Sequence, residues 1–160
     1  MAGDLFNKER AIVTLTSTGA SLTTGSAAAA GTDLDARSAG GTGNEAGDLQ
    51  GLFELTCQWA TITGIVASQI VGELYLVPKL DGTNLPDVDL TSGASVLPPS
   101  SFVGAFIATK TPTAATNARF VSPAVAFNPL LYTAHVLNRS GQTISANWTL
   151  KVVGVRGQYT

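Results

Sequence analysis

Leu130–Val152, LLYTAHVLNRSGQTISANWTLKV, is the stretch that decides the fold class. In its first part Leu130, Tyr132, Ala134 and Val136 fall on one side of an extended chain, with His135 on the other. Asn138-Arg139-Ser140-Gly141 is a turn cluster. Beyond it Ile144, Ala146, Trp148, Leu150 and Val152 alternate with Thr143, Ser145, Asn147, Thr149 and Lys151. A period of two, apolar on one side and polar on the other, predicts an antiparallel hairpin with a buried face and a solvated one.

Working outward, the same period recurs. Phe53, Leu55, Cys57 and Trp59 alternate with Glu54, Thr56 and Gln58, which predicts a half-buried strand with Cys57 pointing inward. Ile70–Leu80 predicts another strand, with Leu74 and Leu76 on one side and Glu73, Tyr75 and Lys79 on the other. It closes on the turn dipeptide Asp81-Gly82. Residues 83–101, with Pro86, Pro98 and Pro99, predict a long irregular connection. Ser101–Thr109 is apolar on both faces, as a central core strand or an interface-covered strand would be. Ala118–Ser122 and Ala11–Ser17 add two short strands. Seven or eight strands, no amphipathic helix and no internal repeat together predict an all-β, antiparallel β-sandwich.

Thr18–Asp48 is rich in Ala, Gly, Ser and Thr and holds no aromatic residue. Alone it cannot bury enough apolar surface to offset its ordering entropy. Three readings stay open: a flexible loop, an extended arm that orders against a neighbouring subunit, or a short helix through Ala27–Ala30. The expected organisation is therefore one domain, with a strand plus low-complexity segment over 1–48 and a sandwich body over 49–160.

Composition narrows the function classes. Charged residues are only 12% of the 160, against roughly 25% in an average soluble domain. Ala, Gly, Ser and Thr make up roughly 44%. A surface so poor in charge suits a subunit that hides much of itself against neighbours. The net charge of −2 gives no footprint for nucleic acid or an anionic membrane. No apolar run reaches the length of a membrane span, and Met1–Arg10 does not read as a secretory signal. One cysteine excludes an intramolecular disulfide framework.

The search for chemistry starts with the single histidine. His135 reads as a surface or interface residue without a nucleophile or an orienting acid beside it. Asp81, Asn84, Asp87 and Asp89 cluster at a turn, but without the ordered calcium loop and its closing glutamate. Turn chemistry accounts for Asp81 and Asn84. The glycines of 40–47 lack the strand-to-helix context of a phosphate loop. Asn138-Arg139-Ser140 and Asn147-Trp148-Thr149 match the glycosylation sequon, one at a turn and one in a strand. The expectation is a non-enzyme with no cofactor, no metal and no small-molecule substrate.

GELYLVPKLDGTN, SFVGAF, NARFVSP and LLYTAHVLNRSGQTISANWTLKVVGVRGQ, in that order, resemble small structural proteins of tailed-bacteriophage virions. The likeness spans roughly residues 50–158. It implies a jelly-roll-like sandwich serving as a capsid cement or decoration protein on the capsid surface. The implied partner is the major capsid protein, and the implied state a homo-oligomer such as a trimer. Phe102, Val103, Phe106 and Ile107 are the candidate interface residues, since that strand is apolar on both faces. The alternative is a tail or fibre module that binds host glycans, for which Tyr75, Trp59 and Trp148 are the available aromatic platforms.

Overall fold

The computed structural model describes residues 5–9, 11–37, 45–59, 64–81, 83–85, 88, 97–112, 118–126 and 128–159. Among them eleven strands form: β1 (Leu5–Glu9), β2 (Val13–Thr16), β3 (Ala27–Ala29), β4 (Leu34–Asp35), β5 (Glu45–Cys57), β6 (Ile70–Pro78), β7 (Phe102–Ile107), β8 (Ala118–Val121), β9 (Val125–Ala126), β10 (Leu131–Asn138) and β11 (Thr149–Tyr159). A 3-10 turn at Pro99–Ser101 leads into β7.

Two antiparallel sheets pack face to face. In the first, β11 lies between β5 and an edge made by β1 and β2, and β5 lies between β11 and an edge made by β8 and β9. In the second, β10 lies between β6 and an edge made by β3 and β4, and β7 closes the far side of β6. Three pairs of short strands thus share an edge each, so the eleven strands fill eight positions. Counted along the chain, those positions run 1-8-3-6 in one sheet and 2-7-4-5 in the other, the interleaving of a jelly-roll-like sandwich. Between the sheets the expected inward set meets as one core, with Phe53, Leu55, Cys57 and Trp59 packed with Leu74, Leu76, Val136, Trp148 and Leu150.

The predicted hairpin needs correcting. The strands on either side of Asn138-Arg139-Ser140-Gly141 do not pair; they belong to opposite sheets, and the turn carries the chain across the core. Asn138, with no exposed surface, holds this corner. Its Nδ2 donates to the carbonyls of Leu22 and Gln142, both at 2.7 Å. Its Oδ1 accepts from the Ser140 backbone N–H at 2.9 Å and lies 2.8 Å from the Ser140 hydroxyl. That hydroxyl oxygen accepts from the Trp59 indole N–H at 3.0 Å. Further on, Asn147 adopts a left-handed φ of 70°, which breaks the extended chain before β11 begins. Ala146 is therefore exposed, whereas Ile144, Trp148, Leu150 and Val152 are buried as their alternation requires.

A second correction concerns the Ala/Gly/Ser/Thr-rich stretch. Over residues 18–37 it pairs within the chain and is not a free loop, and Ala27–Ala29 form a strand, not a helix. Ala27–Ala29 pair with Leu137–His135 of β10, and Leu34 pairs with Tyr132. Leu22 is buried and bridges Ile144. The ordering comes from backbone pairing to the chain's own β10 and from close approach that small residues permit. Gly19 lies against the Trp148 ring, where a Cβ would overlap the indole, and the Trp148 N–H donates to the Ala20 carbonyl at 2.8 Å. Residues 38–44 of the stretch lie outside the described residues. The boundary expected at 48/49 falls inside β5.

Two described residues of the 79–101 connection lie on the outer face of the second sheet. Its Leu97 and Val88 pack with Ala27, Leu137 and Tyr75 into a small second core. The outer face of the first sheet carries exposed Leu52 and Val121 instead.

Candidate functional site

Phe102, Val103, Phe106 and Ile107 all lie on β7, which is an edge strand of the second sheet and not a central one. A register shift between Leu74 and Tyr75 of β6 skips Val103, so the strand bulges there. The bulge turns Val103 toward the core and Phe102 away from it. Phe106 is fully buried against Gly72 of β6 and cannot touch a partner. Val103 is partly buried against the core. Phe102 and Ile107 are about half exposed, at 48% and 47%. Phe102 stacks edge-on against Tyr75, with ring centroids 5.5 Å apart. Tyr75 in turn donates to Glu73 at 2.9 Å, and Glu73 pairs with Arg139 at 3.1 Å. Burial raises the Tyr75 phenol above its ordinary value, and the bond to the Glu73 carboxylate adds to that. At the other end of β7, Ile107 sits opposite Ile70, also exposed.

Among the described residues, His135, Cys57, Asp81 and Asp33 have defined surroundings. His135 is not on the surface, contrary to the alternation reading; it is fully buried. It faces outward from the second sheet, as the alternation requires, but that face is covered. Its Nδ1 lies 3.3 Å from the Thr133 carbonyl, and its Nε2 has no hydrogen-bond partner among the described residues. Burial lowers its pKa, which favours the neutral ring. The Cys57 thiol is pushed up to about 12 by desolvation, which leaves no thiolate for attack.

Asp81 accepts from the backbone N–H groups of Thr83 and Asn84 at 2.8 and 2.7 Å and from the Asn84 side chain at 2.7 Å. Those bonds hold its carboxyl at about 2 and commit both oxygens to the turn. Asp33 bridges Lys79 and Thr133, each at 2.7 Å, and so ties the β3–β4 loop to β6 and β10. Burial would raise its pKa, but the bonds from Lys79 and Thr133 and the lysine charge outweigh this and lower it. Among the described residues no group of three or more His, Cys, Asp or Glu side chains is placed to hold a metal ion. No helix among them is long and apolar enough to cross a membrane.

The surface that sequence reasoning missed is the outer face of the first sheet. There a shallow depression of about 220 Å³ is bordered by Ile12, Leu52, Glu54, Arg119, Lys151 and Val153. Ile12, Leu52 and Val121 are exposed at 66%, 45% and 59%. Lys151 and Glu54 are direct cross-strand partners, with Val121 beyond Glu54, and Val153 is opposite Leu52. The only signal in the sequence was the outward parity of Leu52, Val121 and Val153 in strands whose other parity is the core. Apolar residues on both parities are what an interface-covered sheet shows. No protein-family model matches the chain, and a search of the curated proteins gives no match.

Proposed function

We propose that this chain is a structural subunit of a bacteriophage particle, a capsid cement or decoration protein that binds and stabilises the major capsid protein shell. The observation that carries the reading is the unequal treatment of the two outer sheet faces. One is covered by the chain's own connection, while the other presents Ile12, Leu52 and Val121 to solvent. Apolar side chains gathered on one broad, shallow face suit contact between folded surfaces. The low charge content and the likeness of the 72–84, 101–106, 117–123 and 130–158 segments to virion proteins support the same reading.

The glycan-binding alternative draws less support. Trp59 and Trp148 are 3% and 2% exposed, with their indole N–H groups bound inside the fold. Tyr75 is half-buried against Phe102, so neither indole offers a free ring face for a sugar, and the phenol ring is already stacked. Cryo-electron microscopy of intact particles tests the proposal. The expected result is this chain spread over the shell at local symmetry positions in contact with the major capsid protein. Copies confined to the tail would overturn it.

A further inference from the structure

We infer that the outer face of the first sheet is a self-association face, on which a second copy of this chain docks about a two-fold axis running along the strands between β5 and β11. The inference names a second copy as the occupant of the same open face on which the virion reading rests, and its test in solution is separate from the test of that reading. Its basis is the cross-strand register. Lys151 of β11 faces Glu54 of β5, and one row along, Val153 of β11 faces Leu52 of β5. All four are outward-facing and none is buried.

A two-fold axis between these strands exchanges β5 and β11 across the interface. Lys151 of one copy then meets the partner's Glu54, and Glu54 meets the partner's Lys151. In the adjacent row Val153 meets the partner's Leu52, and the reverse. Cation is set against anion and apolar against apolar in both copies at once, which is the self-complementarity that an isologous interface demands. Sheets packed this way run nearly aligned, within about 30°.

The size is adequate. The sheet is four strands wide along its main path, and β11 is eleven residues long. At about 4.8 Å between strands and about 3.3 Å per residue, the face is on the order of 700 Å², near the ~800 Å² per partner of a standard interface. Among the described residues the second sheet has no comparable face, because Leu97 and Val88 already cover its centre.

Sedimentation velocity on the full chain over a concentration series, with Glu54→Lys and Lys151→Glu, tests this. The expected result is a dimer of the unaltered chain. Each single reversal sets like charges against each other across the axis and weakens association roughly tenfold or more. An equimolar mixture of the two reversals restores the dimer. One copy then presents cations at both positions, and the other presents anions at both. That restoration separates an interface from a fault within one chain, which mixing cannot repair. Should either reversal fail to fold by thermal melting, Leu52→Glu and Val153→Lys, tested singly and mixed, give the same readout on the apolar row. A monomer at all concentrations, a trimer, or dimerisation untouched by the reversals would overturn the inference.

Discussion

The two outer faces of this sandwich start from similar sequence and end differently. β10 and β11 both alternate, and both carry apolar residues on the parity that points away from the core: Leu137 on one and Val153 on the other. In the second sheet the chain supplies its own cover, and Leu137 ends 4% exposed beneath Leu97. In the first sheet Leu52 remains 45% exposed, and Val121 more so. An outward parity therefore defines only the side of a sheet. Whether that side meets water, the same chain or another chain depends on segments far away in sequence.

Truncation breaks this contrast most strongly. Leu137→Ala leaves a cavity under the connection and is expected to cost about 2–4 kcal/mol of unfolding free energy, measured by denaturant titration. At the neighbouring position Asn138→Ala removes the side chain that links the corner and takes the acceptor from the Ser140 backbone N–H, while the Leu22 carbonyl keeps the Ile144 N–H and the Gln142 carbonyl keeps the Ser140 hydroxyl. A loss of about 2 kcal/mol or more is expected there. An unchanged midpoint for Leu137→Ala would mean that the covered face is only loosely packed, and one for Asn138→Ala that the corner's hydrogen bonds add little.

His135 gives the next effect. Its folded pKa lies below the ordinary histidine value, so the unfolded chain binds its proton first as the pH falls. Stability contributed by the neutral ring is complete above about pH 6.5 and declines as the pH drops below that value. Melting temperatures between pH 7.5 and 5 should fall, and His135→Gln should flatten the fall. Asp33 acts in a separate window: its lowered pKa adds stability that is lost only as the solution is acidified through the carboxylate range. The smallest effect belongs to the open face. Leu52→Ser should change monomer stability by no more than about 0.5 kcal/mol, because little of its burial comes from its own chain. A large loss would show that the open face is stabilising within the monomer.

The fold class was legible because strand alternation is local. Phe53, Leu55, Cys57 and Trp59 occupy the inward positions that their spacing dictates, and so do Leu74 and Leu76. Pairing partners were not legible. Asn138-Arg139-Ser140-Gly141 reads as a hairpin turn, yet the buried Asn138 side chain and the left-handed Asn147 send the following strand into the other sheet. Such choices are made by tertiary contacts with Leu22 and Trp59, which no window around the turn contains. The Ala27–Ala29 strand was hidden for a related reason: its order comes from β10, and alanine carries no strand signature of its own. Of the candidate interface, the apolar character of 102–107 was visible, but the bulge that turns Val103 inward and exposes Phe102 was not.

Hydroxyl-radical footprinting of the chain, free at low concentration and then assembled, probes both outer faces in one experiment. Leu52 and Val121 are expected to be labelled in the free chain and protected on assembly, while Leu137 and His135 resist labelling in both states. Strong labelling of Leu137 in the free chain, or equal labelling of Leu52 and Val121 before and after assembly, would contradict the assignment of one self-covered face and one face open for a partner.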